Sequence, residues 1–292
     1  MPLTPARKAQ LQIHACVLLW GFTAILGKLI SLPAMALVVW RMLIVVAALA
    51  LVPRVWRGLK ALPWRQIGIY AVIGAVVGLH WLTFYASIKL ANASVAVTCI
   101  ALAPVFLAIV EPWLTHKRFE LRELLLGIAV VPGVALVVGG VAPSMRLGIA
   151  VGALSALLVA IFGALNKRFI ERADPLTVTA LELGAGALFL IAIALVFPAL
   201  GEPFTLPSVQ DAWLLLILSL ACTLLPFALS LVALRQLSAY SAQLAINLEP
   251  VYAILLAIAF LGEQRELQPM FYLGVAIVLA AVFVHPWLHR KQ

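Results

Sequence analysis

Six polar or ionisable side chains interrupt otherwise apolar stretches of this sequence, and their chemistry needs an explanation. They are Arg41, His80, Glu182, Gln243, Asn247 and Glu249. Moving such groups out of water is costly unless they are paired, hydrogen-bonded or used for binding or proton transfer. Each is therefore a candidate functional residue, and each also has a purely structural alternative.

The two carboxyls and the arginine are candidates for ion coupling or for a structural charge. Glu249 precedes Pro250 inside an apolar run, where a carboxyl could carry a proton or brace the carbonyls that the proline leaves unpaired. Arg41 lies deep in its own run and needs a partner. Glu182 lies nearer a predicted helix end, so we expect its side chain to extend toward water.

Two amides and a group of rings are candidates for ligand binding. Gln243 and Asn247 are four residues apart, so on a helix they share a face, where amides can bind a carboxylate or an ammonium, or another helix. An imidazole can bind substrate or carry a proton, and neighbouring aromatic rings suit an amphipathic ligand, although both also occur as packing groups. The candidates of this kind are Trp20, His80, Phe84 and Tyr85.

The composition requires a lipid solvent around these residues. Hydrophobic residues make up 65% of the 292 positions and charged residues only 11%. A hydrocarbon layer about 30 Å thick needs roughly 20 apolar residues per helical crossing, which allows about ten crossings in this chain. The sequence therefore predicts an all-α integral membrane protein with ten transmembrane helices and a bilayer as its surroundings.

The apolar runs give approximate bounds for these ten helices. They are Leu11 to Ile30, Pro33 to Val52, Gln66 to Ile88, Ala93 to Trp113, Leu121 to Val141, Leu147 to Phe169, Pro175 to Phe197, Ala212 to Leu234, Tyr240 to Phe260, and Leu267 to Val284.

The distribution of Lys and Arg predicts how the helices are oriented. With the N-terminus inside, the cytoplasmic side has fifteen cations: Arg7, Lys8, Arg54, Arg57, Lys60, Arg65, Lys117, Arg118, Arg122, Lys167, Arg168, Arg172, Arg235, Arg290 and Lys291. The outer side has four, which are Lys28, Lys89, Arg146 and Arg265. Because positive residues stay on the cytoplasmic side, we expect both termini in the cytoplasm of a bacterial-type inner membrane.

The chain resembles itself when shifted by 146 positions. Ala103-Pro104 then meets Glu249-Pro250 in a similar context. This predicts two five-helix repeats, residues 1–142 and 143–292, within one membrane domain. Because five is odd, the second repeat enters the membrane upside down, so the repeats have inverted topology.

Several classes of function are disfavoured by the sequence. The Gly27-Lys28 region lacks the spacing and the hydroxyl of a phosphate-binding loop, and the chain has no HExxH or GxSxG motif. The cations lie in short loops and form no stripe suited to nucleic acid. We therefore expect no enzyme, no cofactor, no metal and no nucleic-acid partner.

Short motifs in both halves are typical of one transporter superfamily. They are Leu19-Trp20-Gly21-Phe22, Arg41, Pro104, Pro250 and Leu261-Gly262-Glu263-Gln264-Arg265. Together they resemble the drug/metabolite transporter superfamily in its EamA-type branch, over nearly the whole chain. Within that branch the sequence is most similar to bacterial amino acid exporters such as the aromatic amino acid exporter. The first half departs from the pattern, with His116-Lys117-Arg118-Phe119 in place of the loop motif.

The resemblance implies a secondary transporter that works by alternating access. Its central cavity would be lined by the first, third, fourth, sixth, eighth and ninth helices, with Pro104, Pro226 and Pro250 as bending points. The expected cargo is a small metabolite, foremost amino acids with aromatic or hydrophobic side chains. Protons are candidate coupling ions, and a monomer is expected. The alternatives are a drug or nucleotide-sugar carrier on the same fold, or a membrane-embedded enzyme.

Overall fold

The structure of the chain is a computed structural model. It describes residues 4–246, 248–262, 265, 268–277 and 280, except for the side chains at 138, 243 and 244. Every regular element within these ranges is helical, which confirms the all-α prediction.

The helix bounds differ from the apolar runs in several places. The α-helices described are α1 Pro5–Leu29, α2 Ala34–Ala50, α3 Pro53–Ala61, α4 Trp64–Leu90, α5 Ala93–Ile100, α6 Ala103–Thr115, α7 Leu121–Ile128, α8 Val131–Gly139, α9 Arg146–Phe169, α10 Pro175–Val196, α11 Val209–Ser219, α12 Leu225–Leu234, α13 Ala239–Ile246 and α14 Glu249–Leu261. Residues 269–277 are also helical, and much of the tenth predicted helix lies outside the described residues.

Six helices in the described ranges are long and apolar enough to cross a membrane, where consecutive segments that form one rod count as one helix. A seventh results if α2 and α3, which meet at 94°, are counted as one bent span. The number of ten crossings stays a prediction.

Helical hydrogen bonding is interrupted within three apolar runs, although the fourth still forms one rod, Ala93–Thr115. The fourth run breaks between α5 and α6, the fifth between α7 and α8, and the ninth between α13 and α14. The eighth run contains a π-helical segment, Leu220–Leu224, between α11 and α12. Hydropathy does not detect such breaks, because the residues around them are as apolar as the helices themselves.

Two of the three prolines expected as bending points follow an interruption of helical hydrogen bonding: Pro104 is the second residue of α6 and Pro250 of α14. A proline there removes no hydrogen bond of its own segment, since the first N–H groups of a helix have no partner in it. Pro226 instead lies within the uninterrupted helical stretch Val209–Leu234, directly after the π-helical segment. Glu249 is the first residue of α14.

The internal repeat is visible in the helix bounds. Shifting α5 and α6 by 146 positions reproduces the bounds of α13 and α14. The residues that end α6 and α14 also correspond: His116 and Gly262 are both left-handed, with φ of 59° and 67°. The first-half loop thus differs in sequence and keeps the backbone conformation, which costs a non-glycine residue about 1–2 kcal/mol.

Glycines allow the central helices to touch. A Cβ on Gly74 would overlap the backbone carbonyl of Glu182, and one on Gly186 would overlap the carbonyl of Gly74. Gly148 and Gly152 in α9 pack in the same way on the end of α4 and on α5. These contacts hold α4, α9 and α10 together as the centre of the bundle.

Polar contacts link the helix ends into two opposite groups. At one end Arg54 pairs with Asp174, Arg235 donates to the Ala173 carbonyl, and Arg168 donates to the Leu114 carbonyl. We call this the cation-rich end. At the other, the Asp211 end, Asp211 accepts hydrogen bonds from the amide and hydroxyl of Ser31. Three of the cations predicted to be cytoplasmic, Arg54, Arg168 and Arg235, thus lie at one end, while their side of the membrane stays a prediction.

We predict that Gly74→Ala destabilises the protein, because its methyl group meets backbone rather than a side chain that can move. Overpacking of this kind costs roughly 1–3 kcal/mol. The melting temperature in detergent should fall. Gly68→Ala in the same helix is the matched control, since a Cβ there meets nothing within 4 Å. Equal melting temperatures for the two variants would contradict the close helix contact.

Candidate functional site

A partly open cavity lies in the middle of the bundle, with about 920 Å³ of space between atoms when the open solvent at its mouth is included. Its lining residues come from all the helix runs that we expected around a central cavity, with Arg41 from α2 in addition. They include Trp20, Thr23, Arg41, His80, Trp81, Phe84, Val159, Phe162, Phe227, Ser230, Ala242, Ile246 and Glu249. Five of the predicted site residues, Trp20, Arg41, His80, Phe84 and Glu249, thus share one cavity.

Arg41 is buried in the wall of this cavity and is held by neutral groups. Its Nε donates to Thr223 Oγ1 at 2.6 Å, and one terminal nitrogen donates to the Tyr85 hydroxyl at 2.8 Å. Its Cζ lies 3.9 Å from the centre of the Trp81 ring, a cation–π contact. Across the described residues no carboxylate lies within 4 Å of this guanidinium. The positive charge is therefore fixed in position and open to a negatively charged ligand.

The π-helical segment explains why Thr223 can hold the arginine. Its hydroxyl donates to the carbonyl of Leu218, five residues earlier, and thereby leaves its oxygen lone pairs free to accept from Arg41. A π turn exposes such a carbonyl because its hydrogen-bond register is shifted by one residue. No sequence signal pointed to Thr223.

Glu249 contributes a carboxyl to the same cavity. It is 7% exposed and begins α14, where the unpaired N–H groups of a helix favour negative charge. Because Arg41 and Glu249 form no direct ion pair in the described structure, both can interact with a ligand between them.

His80 is oriented by Ser155 on α9. Its Nδ1 lies 3.0 Å from the Ser155 carbonyl and 2.8 Å from the hydroxyl, which itself donates to the His80 carbonyl. A carbonyl can only accept, so this hydrogen-bond pattern assigns the proton of the neutral ring to Nδ1. The lone pair of Nε2 is then available as an acceptor for a ligand N–H group.

Aromatic rings form much of the remaining wall. Trp81 meets Phe227 edge to face with 6.1 Å between ring centres, and the His80 ring lies 5.5 Å from that of Phe162. Trp20 and Phe84 also line the space. Such walls favour a ligand with an apolar or aromatic part.

The remaining predicted binding residues do not all lie in the wall. Tyr85 is fully buried and serves as a hydrogen-bond partner of Arg41. The Gln243 side chain and the whole of Asn247 lie outside the described residues, although neighbouring Ala242 and Ile246 line the cavity.

Glu182 lies elsewhere and is not extended toward water, which corrects the expectation. Its side chain is fully buried, its Oε2 accepts from Asn166 Nδ2 at 3.3 Å, and its Oε1 has no partner. The burial follows from packing, since Gly74 brings α4 directly against the Glu182 backbone. A fully buried carboxyl with one neutral donor is poorly suited to bear a charge.

A second polar cluster at the cation-rich end was missed in the sequence. Glu111 is 4% exposed, and Lys117 lies 3.8 Å from its carboxyl and 2.8 Å from that of Glu123. The Tyr240 hydroxyl donates to the Glu123 carbonyl, which joins α13 to α7. The sequence signal that could have indicated this cluster is Glu111 itself, a carboxyl beside Pro112 near the end of an apolar run. The hydrogen bond from Tyr240 to Glu123 thus connects the second repeat to the first at the cation-rich end.

The family model of the EamA-like transporter family matches residues 7–139 and again residues 146–285. The chain belongs to the EamA-like transporter family. A solved crystal structure, described only as that of a protein, superposes with a TM-score of 0.70 at 18% identity, over 97% of this chain and 98% of that chain. At this identity the likeness shows the fold alone. No curated protein matches the chain.

Membership confirms the EamA-type resemblance and the two-repeat architecture of the fold. The protein is a multi-pass membrane transporter of small molecules. Its cavity is the natural place for the cargo, because it is the concave space that polar and aromatic side chains from both halves share.

We predict that Tyr85→Phe weakens substrate binding by releasing one end of the Arg41 guanidinium. A hydrogen bond to a charged group contributes about 1.5–3 kcal/mol, so the KM for transport should rise about tenfold or more. Tyr70→Phe is the matched control, because its hydroxyl donates to the Phe169 carbonyl away from the cavity. A similar KM for wild type and Tyr85→Phe would show that this hydrogen bond does not position the guanidinium for substrate.

Proposed function

We propose that this protein exports amino acids, foremost those with aromatic or hydrophobic side chains. The observation that carries the proposal is the pairing of Arg41 and Glu249 in one aromatic cavity, without direct contact between them. A free amino acid has a carboxylate, an ammonium and a side chain. The cavity offers a complementary group for each of them.

The charges support a zwitterionic cargo. The Arg41 guanidinium suits a carboxylate, since its N–H groups form charge-assisted hydrogen bonds with carboxylate oxygens. The carboxylate of Glu249 suits an ammonium, and Nε2 of His80 is a second acceptor for it. A ligand with one charge of each sign leaves neither protein charge unpaired in a medium of low dielectric constant.

The rings support an apolar side chain on that zwitterion. Trp20, Phe84 and Phe162 contribute aromatic surface beside the charged groups. Gln243 and Asn247 stay predicted binding residues on the ninth run, whose neighbours line the same cavity.

We also propose how the fold moves this cargo. Ten crossings form two inverted repeats, residues 1–142 and 143–292, and a monomer alternates between inward-open and outward-open states. Pro104 and Pro250 follow interruptions of helical hydrogen bonding and Pro226 follows the π-helical segment, so all three lie where the regular hydrogen-bond ladder is already disturbed and bending is easiest. Both termini lie in the cytoplasm of a bacterial inner membrane, as the cation distribution predicts.

Counterflow into proteoliposomes preloaded with unlabelled phenylalanine tests the cargo. Radiolabelled phenylalanine should enter saturably, whereas phenylalaninamide, without a carboxylate, and N-acetylphenylalanine, without an ammonium, should exchange about tenfold less well, because each leaves one buried protein charge unpaired. Absence of exchange for every amino acid, from protein shown to be folded, would overturn the proposal.

Two substitutions test which protein charge binds the carboxylate of the cargo and which binds its ammonium. Arg41→Gln should lose the preference for phenylalanine over the amide, and Glu249→Gln should lose the preference over the N-acetyl compound, each by about tenfold. Glu182→Gln is the control, since its carboxyl lies outside the cavity wall and should leave both ratios unchanged. Ratios that do not respond to either cavity substitution would remove these residues from the binding site.

We further propose that Glu249 couples export to protons, because it is the carboxyl that faces both the cargo and Arg41. Glu249→Gln should flatten the pH dependence of transport, while Glu182→Gln should retain the wild-type profile. The measurement is initial exchange rate across pH with and without an imposed gradient. Retention of the profile in Glu249→Gln would assign proton coupling elsewhere.

A further inference from the structure

A short cationic helix, α3, lies across the end of the bundle and was not predicted from the apolar runs. It follows α2 at an angle of 94°, with Pro53 as its first residue. The Trp56 indole donates to the Ala50 carbonyl at 2.7 Å and so holds this bend. If α2 crosses the membrane, α3 runs along the membrane surface.

One face of α3 is attached to the protein. Val55 is buried, Leu59 packs against the core, and Gly58 fits so closely on the Thr177 side chain that a Cβ would overlap it. Arg54 at the flank is paired with Asp174, the residue that caps α10. These contacts fix which residues α3 presents outward.

The outward face combines cations with indole rings. Arg57 and Lys60 are three residues apart and exposed, on the side of the helix opposite Val55 and Leu59. Exposed Arg65 follows, and Trp56 and Trp64 are 52% and 84% exposed. Across the described residues, Arg57, Lys60 and Arg65 form no ion pair.

The sequence around α3 offers these cations no carboxylate. The first acidic residue of the whole chain is Glu111, after nine Lys and Arg residues. The exposed cations of α3 therefore have no acidic residue near them in the sequence. Cations beside indole rings on an in-plane helix match the headgroup level of a bilayer, where phosphates are the available anions.

We propose that the outward face of α3 binds the phosphodiester headgroups of anionic phospholipids in the leaflet at the cation-rich end. Arg57 and Lys60 contact phosphate oxygens, while Trp56 and Trp64 lie at the same depth as the headgroups. Bound lipid would hold α3, and through Gly58 and Arg54 the start of α10, against the bundle. This site is independent of the cargo and of the transport cavity.

Native mass spectrometry of the full chain, released from micelles that contain phosphatidylglycerol or phosphatidylcholine with the same acyl chains, tests the site. Wild type should retain phosphatidylglycerol preferentially. Each cation near an anionic surface contributes enough for about a fivefold change in affinity, so Arg57→Gln/Lys60→Gln should bind it roughly 30-fold more weakly. Equal retention of the two lipids by wild type would overturn the proposal.

The controls separate this site from general charge effects and from folding. Lys28→Gln/Arg146→Gln removes the same charge from exposed positions at the Asp211 end and should leave phosphatidylglycerol affinity within about twofold. Arg57→Lys/Lys60→Arg keeps the charge and should bind like wild type. An equal loss in the Lys28/Arg146 variant, weak binding by the charge-keeping swap, or displacement of the lipid by equimolar inorganic phosphate would each contradict a lipid headgroup site on α3.

Discussion

The guanidinium of Arg41 is the group on which the organisation of the cavity depends. A permanent cation inside an apolar bundle is tolerated only where its N–H groups and its charge are satisfied by the protein or by a ligand. Here Thr223, Tyr85 and Trp81 supply neutral partners, Thr223 from the eighth run and the two rings from α4. The π segment that contains Thr223 and the position of α4 against α2 are thus parts of one arrangement around a single charge.

The internal repeat explains where helices begin beside the cavity, and the residues that differ between the two repeats explain the charges in its wall. The breaks before α6 and α14 correspond under the shift of 146 positions, so each half starts a new helix beside the cavity. In the first half that helix begins with Ala103, whereas in the second it begins with Glu249. His80 likewise corresponds to Pro226. A symmetrical scaffold therefore carries an asymmetrical set of charges, which is what the proposed zwitterionic cargo needs.

The sequence was sufficient for features that depend on composition or on local pattern. The apolar runs and the repeat could be inferred from the residues, and the family resemblance implied a central cavity lined by the runs that contain Trp20, His80 and Glu249. Features that depend on packing could not. Thr223 and Ser155 are ordinary helix residues until α2 and α4 lie beside them, and Glu182 is buried because Gly74 lets α4 approach. Helix α3 was missed for another reason: short amphipathic helices give no long apolar run.

The charges in the cavity wall also favour some classes of cargo over others among carriers with this fold. The ionisable residues described in its wall are Arg41, His80 and Glu249, and His80 is neutral when its Nδ1 proton is shared with Ser155. A nucleotide sugar would place two phosphate charges opposite one guanidinium and bring them toward a carboxyl, which leaves a negative charge unpaired in a medium of low dielectric constant. A neutral lipophilic drug would bring no charge to either the Arg41 guanidinium or the Glu249 carboxyl. An amino acid avoids both costs, because its carboxylate and ammonium neutralise the two protein charges while its side chain contacts the rings.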